Sequence, residues 1–263
     1  MPPIFLQNCL AIDSLRECRL FPPLERQCGS DGAGEISPDF LKGLADFIPS
    51  SALRRIPRLG RLALKAGLEV KSGESGTGCA LIMGTALGSA VSTLSFLDSI
   101  LNDGAAASSP TAFSHSVTNM AAAIVSQHLG ISGPCLTITQ PAPLAAALEL
   151  SFCLINNRRA EKVLLGFVEE NCPQLTELEN IISLPSPTAE AVAFFLFSGN
   201  SDTEHSIKMS LENNLSNSAD ETADSPPALA LALACCRFSG GRLETKCLSA
   251  APGLAITLQK NGG

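Results

Sequence analysis

Cys135-Leu136-Thr137-Ile138-Thr139-Gln140-Pro141-Ala142-Pro143-Leu144-Ala145-Ala146-Ala147-Leu148 is the stretch whose reading decides the fold. Its first five residues are apolar or β-branched and too few for a helix, so they read as a strand, and as a buried one. Residues 144–156 are apolar on nearly every side of a helical wheel, which predicts a helix in the protein interior. The turn between them is then a helix N-terminus inside the molecule, where backbone N–H groups and the positive end of the helix dipole favour an anion or lower the pKa of a cysteine. An α/β enzyme mounts a nucleophilic Cys or Ser at such a junction. Gln140, Pro141, Ala142 and Pro143 supply none.

Working outward, the same pattern of short apolar strand and helix recurs. Cys79-Ala-Leu-Ile-Met83 reads as a strand closed by Gly84-Thr-Ala-Leu-Gly88, with a helix over 89–102, which is the βα unit of a parallel sheet. Residues 103–109 form a Gly/Ala/Ser loop, and a helix is predicted over 117–129. Lys162-Val-Leu-Leu-Gly166 and Val192-Ala-Phe-Phe-Leu196 are further strands. Upstream, Ile4-Phe5-Leu6 and Cys9-Leu-Ala-Ile12 suggest a first strand, and the rest of 1–49 reads as irregular surface structure. Ser50-Ser51 is positioned to cap a basic helix through residue 70, which Pro57 kinks or breaks. Residues 206–227 are polar and read as a linker, 228–236 as a helix and 254–258 as a terminal strand. The expected organisation is an α/β domain over 1–205, the linker 206–227, and a short segment 228–263 packing on the same core.

The chain has 263 residues, 45% of them hydrophobic, enough for a sizeable core. A net charge of −7, with no basic cluster beyond Arg54-Arg55 or Arg158-Arg159, argues against a nucleic-acid partner. The 10 cysteines are scattered, with one adjacent pair, Cys235-Cys236, and no CxxC, so reduced thiols in a cytoplasmic protein are expected rather than disulfides or a metal site. The apolar runs carry Pro, Glu or Asn within any span long enough to cross a membrane, so no transmembrane segment is predicted. No cofactor motif is present.

Ser109-Pro110, the step to Asn119-Met120-Ala121-Ala122, then His128-Leu-Gly130-Ile-Ser-Gly133-Pro134 and a strand running into a buried helix resemble the N-terminal half of a β-ketoacyl synthase of the thiolase fold. Gly84-Thr-Ala-Leu-Gly88 is similar to that family's glycine turn, and residues 54–67 to its arginine-rich helix. Ala160-Glu-Lys-Val-Leu-Leu-Gly166 is similar to the strand after the nucleophile helix, with Arg159 where glycine is usual. Thr188-Ala189-Glu190-Ala191 is similar to the Gly-Glu-Gly-Ala that precedes the last strand. The resemblance covers about residues 50 to 200 and implies a thiolase-like α/β fold with a truncated C-terminal half.

The departures carry the functional expectation. Counted without gaps from Gly133-Pro134, the family's active-site cysteine falls on Ala142; with a gapped turn, Gln140 would plug the site instead. The family's two histidines come from a C-terminal half, and His115, His128 and His205 stand in none of those contexts. Cys135 and Cys153 are read as structural thiols, not as substitutes. The resemblance therefore implies a chain that does not catalyse by itself. It is similar to the chain-length factors that pair with an active ketosynthase, most like the short ones of bacterial aryl polyene biosynthesis. It further implies that Cys135, Leu136, Thr137, Ile138 and Thr139 form the strand that meets a partner subunit, and that Thr111, Ala112 and Phe113 gate its acyl tunnel. His115 and Asn119 read as a loop residue and a helix N-cap.

Implied partners are a β-ketoacyl synthase subunit and, weakly or indirectly, an acyl carrier protein that Arg54, Arg55, Arg58 and Arg61 would meet. Two other classes stay open: a small stand-alone acyltransferase, for which no G-x-S-x-G elbow can be assembled, and an acyl-binding homodimer. Because the histidines are missing as well as the thiol, Ala142→Cys is expected to create no condensing activity. Turnover of malonyl-carrier protein by that isolated variant would overturn this.

Overall fold

The computed structural model describes residues 1–20, 24–28, 34–104, 108–141, 143–175, 190–200, 206–213, 246–251 and 254–260, with positions 231 and 235. Ala142, Thr188, Ala189, His205 and the linker residues 214–227 lie outside the described residues, as does most of the helix expected at 228–236.

The strands are β1 (Ile4–Asp13), β2 (Arg16–Arg19), β3 (Leu24–Gln27), β4 (Cys79–Thr85), β5 (Cys135–Thr139), β6 (Lys162–Glu169), β7 (Ala191–Ser198), β8 (Ile207–Asn213), β9 (Lys246–Ala251) and β10 (Leu254–Lys260). The helices are α1 (Ser50–Leu53), α2 (Arg58–Lys71), α3 (Ala90–Asp103), α4 (Pro110–Ser116), α5 (Met120–Leu129) and α6 (Leu144–Asn156), with short 3₁₀ turns at Pro38–Leu41 and Leu44–Asp46. One mixed sheet runs in the order β5-β4-β6-β7-β1-β8-β10-β9, and β2 and β3 branch from β1. β4 pairs in parallel with both β5 and β6, and β7 is antiparallel to β6 and β1.

Period-2 alternation splits the strands between two cores. Ala80 and Ile82 of β4, Val163, Leu165 and Phe167 of β6, and Phe195 and Phe197 of β7 face α6. Cys79, Leu81 and Met83, Leu164 and Val168, and Phe194 and Leu196 face α2 and α5. Both faces are covered, which is why these strands read as unbroken apolar runs. The result is a three-layer α/β/α body.

Of the kink or break expected at Pro57, the structure has the break: α1 ends at Leu53 and α2 starts at Arg58 with Pro57 as its N-cap. Several other expectations need correction. Ser50 and Ser51 lie inside α1, whose N-cap is Pro49. The first strand is present as β1, but residues 16–19 and 24–27 after it are not irregular, since β2 and β3 form a ribbon off β1, tied by Glu17, fully buried, to Arg19 and Arg26 at 2.5 Å each. Residues 207–213 are not linker but β8, paired with β1 and β10, and β9 was not foreseen. Leu231, Cys235, Ile256 and Leu258 are buried in the core that faces α6.

Gly133 leads into β5 against the backbone of β4. A Cβ built there would lie 2.4 Å from the Cys79 carbonyl oxygen and 2.9 Å from its carbon, both backbone atoms that cannot swing away. Gly133→Ala is expected to cost about 3 kcal/mol, the upper end of overpacking penalties, read as a lower urea midpoint at unchanged slope. An unchanged midpoint would contradict that close approach.

Candidate functional site

Three parallel strands end side by side. The turn 85–89 follows β4, the turn 140–143 follows β5, and Glu169 closes β6, so the loops converge at the carboxyl ends, where open α/β sheets bind ligands. Gln140 N–H donates to the Thr85 carbonyl at 3.2 Å, which joins the first two turns. Beneath them Gly84 leaves room: a Cβ there would sit 2.5 Å from the Phe167 ring and 3.1 Å from Pro143 Cβ. Phe167 thus packs under the β5–α6 junction, edge-on to Phe195 at 6.3 Å, which stacks on Phe197 at 6.0 Å. This aromatic row is the floor on which α6 rests.

The junction itself differs from expectation in burial. Gln140 and Pro141 are exposed and Pro143 is half-buried, while Leu144 is the first buried residue of α6. Among the described strands β5 is the outermost, with β4 beside it, and Cys135, Leu136 and Thr139 are exposed, where the apolar composition predicts burial.

The carboxylate nearest the junction is already engaged. Glu169 accepts hydrogen bonds from the Thr85 hydroxyl at 3.1 Å, from Leu87 N–H at 3.3 Å and from Ala86 N–H. Burial pushes its pKa up to about 7 against those donors, which favour the charged form. Glu170, 6% exposed, is raised to about 7 by burial, reinforced by the charge of Glu190 and opposed by nearby N–H groups and Arg58. Glu190, 1% exposed, accepts from Arg58 Nε at 2.6 Å and from Ile36 N–H at 2.7 Å. Sequence reading missed these carboxylates. Their signal was a Glu-Glu pair at the inner end of an apolar strand, where charges need partners.

The gate triplet Thr111, Ala112 and Phe113 does not lie in a loop. Ser109 caps α4 through a bond from Ala112 N–H at 3.3 Å, and the three residues form its opening turn. Phe113 is 57% exposed, its ring 5.8 Å from that of Phe96 on α3. Asn119 occupies the N-cap position of α5 without a capping side-chain bond, and Ile131 N–H reaches back to Ser126 beyond Gly130, which ends the helix at φ 62°. His115 lies on α4 and His128 at the exposed end of α5, neither beside the junction. Cys153 is exposed on α6. Of the four arginines, Arg54 and Arg55 are exposed, whereas Arg58 is spent on Glu190 and Ile36, and the Nε of Arg61 is buried without a partner. Among the described residues no group of three His, Cys, Asp or Glu side chains could hold a metal ion. Among these described residues no nucleophile–base pair is assembled.

The sheet order and the two helical layers define a thiolase-like α/β protein of the ketosynthase class. Residues 36–247, more than half of the chain, match the beta-ketoacyl synthase N-terminal domain, and the chain belongs to that family. No curated protein matches it in sequence. Among solved structures it is similar to a chain of the ketosynthase ApeO in complex with its chain length factor ApeC from Xenorhabdus doucetiae, at 14% identity and TM-score 0.62, covering 98% of this chain and 100% of that one. It is also similar to the ishigamide ketosynthase/chain length factor, at 13% identity and TM-score 0.66, with 100% of both chains covered. A third similar structure is AntDE:AntF, a type II PKS acyl-carrier protein in complex with its ketosynthase bound to the hexaketide, at 11% identity and TM-score 0.70, covering 99% of each chain.

The two raised carboxylates set a pH dependence. Each binds its proton more tightly in the folded protein (about 7) than in the unfolded one (near 4.5), so between those values the folded state holds more protons and stability falls as pH rises. Unfolding free energy is expected to decline from pH 5 to pH 8, by up to about 1.4 kcal/mol per pH unit for each group, and Glu169→Gln is expected to flatten the decline. A free energy that climbs over this range would contradict the assignment.

Proposed function

We propose that the chain is a non-catalytic chain-length-factor subunit that heterodimerises with an active β-ketoacyl synthase and shapes its acyl tunnel during polyene-type chain elongation. The observation that carries this reading is an open sheet edge together with an apolar helix that its one close neighbour among the described elements, α4, leaves without a buried residue. β5 presents one side of its backbone to solvent, with Leu136 39% exposed. α3 carries Val91, Leu94, Phe96, Leu97, Ile100 and Leu101, and none of its residues is buried. Leu97 is 47% and Leu101 81% exposed, and α4 adds Phe113. α3 packs on α4, α4 touches α5, and α5 packs on β4 and β5, so a run of contacts links the apolar helix to the open edge.

An uncovered edge and apolar surface of this kind favour association. The occupant this surface fits is a subunit of the same fold, whose own edge strand continues the sheet across the interface. Family membership supports this, as do the names of the similar structures, two of which are ketosynthase/chain length factor pairs. The missing nucleophile, with Ala142 or Gln140 at that position, makes this the non-catalytic half of the pair. In the same reading Thr111, Ala112 and Phe113 reach the partner's tunnel from the first turns of α4, where a bulky side chain shortens the accessible channel. An acyl carrier protein is met through the partner, or weakly through the exposed Arg54 and Arg55. No described helix is long and apolar enough to cross a membrane.

Co-expression with a ketosynthase from the same gene neighbourhood, followed by native mass determination, is expected to give a one-to-one heterodimer. Leu97→Asp and Leu136→Asp, at positions exposed in the single chain, are expected to leave its stability within about 0.5 kcal/mol while weakening the heterodimer at least about tenfold, the loss of one buried apolar contact. A monomer or homodimer that ignores the ketosynthase would retire the proposal. With the complex in hand, Ala112→Trp is expected to shorten the product and Phe113→Ala to lengthen it, and an unchanged product distribution for both would remove the gate.

A further inference from the structure

α3 and α4 form a hairpin with few ties to the body. α3 packs against α4 and makes no comparable contact with any other described element, and α4 touches α5 only lightly. Within the hairpin, Thr93 Oγ1 donates to the Ser116 carbonyl at 2.8 Å and Ser89 Oγ to that of Val117 at 3.0 Å. What fixes the hairpin to the sheet is the turn that launches it.

That turn is held by β6. Glu169 accepts from the Thr85 hydroxyl, Ala86 N–H and Leu87 N–H, and Thr85 Oγ1 in turn accepts from Gly88 N–H at 2.8 Å, where the backbone passes through φ 61°. Glu170 follows on the opposite side of the strand direction. The N–H groups of Leu59, at the start of α2, and of Val91, in the first turn of α3, lie close enough to favour its charge, while its Oε1 is buried without a partner. Two successive carboxylates thus meet successive parts of one launch point.

We propose that Glu169 and Glu170 are positioning residues for the partner-docking surface, locking the 85–89 turn and the first turn of α3 and so setting the pose of the α3–α4 hairpin. This rests on the reading of the hairpin as a docking surface. The lock responds to proton uptake. Glu169 meets only donors among the described residues, so its ionised form satisfies all three, whereas a proton on Oε2 displaces the Thr85 or the Leu87 bond and a proton on Oε1 weakens that oxygen as the acceptor of Ala86 N–H and meets no acceptor of its own. Glu170 is faced by Arg58 of α2, by Glu190 ahead of β7 and by Cys172 further along its own segment. Both groups titrate near pH 7. Raising the pH therefore tightens the turn while lowering global stability, and these opposite signs separate positioning from a merely structural role.

The test uses the full chain and its heterodimer with the ketosynthase. Amide hydrogen exchange on the single chain and the heterodimer dissociation constant between pH 6 and 8 are measured for the wild type, Glu169→Gln, Glu170→Gln, Thr85→Ser and Thr85→Val. The wild type is expected to bind about fivefold more tightly at pH 8 than at pH 6, the equivalent of one net hydrogen bond. Glu169→Gln is expected to lose that dependence, to bind about fivefold more weakly at pH 8 and to exchange faster over residues 86–116, with β4 and β6 protected as before. Glu170→Gln speeds exchange in the first turn of α3. Thr85→Ser, which keeps the hydroxyl, behaves as wild type, and Thr85→Val follows Glu169→Gln and carries the test if that variant does not fold. Wild-type exchange and affinity in Glu169→Gln, or faster exchange spread evenly over the sheet, overturns the inference. A wild type that binds no ketosynthase at any pH retires the docking reading instead, and the exchange pattern alone then decides whether Glu169 holds the hairpin.

Discussion

Gly84 has no side chain, and the arrangement at the functional end of the sheet depends on that. It pairs with Ile138 of β5 on one side and Phe167 of β6 on the other, at the level where the parallel strands run out. Any Cβ there would drive into the Phe167 ring and crowd Pro143. With the space left empty, Phe167 lies flat enough under the strand-to-helix junction for α6 to settle on the aromatic row, and β6 reaches far enough for Glu169 to grip the next turn. Close backbone approach thus brings three loop ends together.

Strand and helix existence in the central region was legible because burial on both faces leaves few alternatives. The bounds of β5 and α6 follow directly from where apolar β-branched residues give way to two prolines and then to residues favourable to helix. β2, β3 and β9 escaped notice because they are short and, in β2 and β3, charged. They are strands through the ladder and through Arg–Glu pairs, neither of which leaves a periodic trace. β8 lies in a stretch whose polar composition suggests linker, yet Lys208, Ser210 and Glu212 alternate with Ile207, Met209 and Leu211, which is a strand pattern. α4 is too short to show periodicity, and its one trace in the sequence is the helix start signal Ser109-Pro110, a cap followed by proline at the first helical position.

The candidate site was legible to a different degree. That the junction carries no nucleophile is plain from Gln140-Pro141-Ala142-Pro143. Which side chains hold the surrounding loops was not, because Glu169, Glu170 and Glu190 act through backbone N–H groups and an arginine far away in sequence. Arg58 illustrates the difficulty. In a row of basic residues it looks like part of a solvated face, and only the fold brings it against Glu190, 132 positions on.

The apolar character of β5 and α3 is best understood as a property of an assembly rather than of the single chain. A sequence that folds alone tends to blunt an edge strand with charge or proline, and residues 135–139 contain neither. A helix with no buried residue tends to carry charge of both signs, yet α3 has Asp98 and Asp103 and no basic residue. The apolar residues of the three layers are buried within the chain itself, whereas both of these features accord with the proposed heterodimer, in which this surface is covered. The carboxylates of β6 stand where these two parts meet, buried in the first and holding the base of the second.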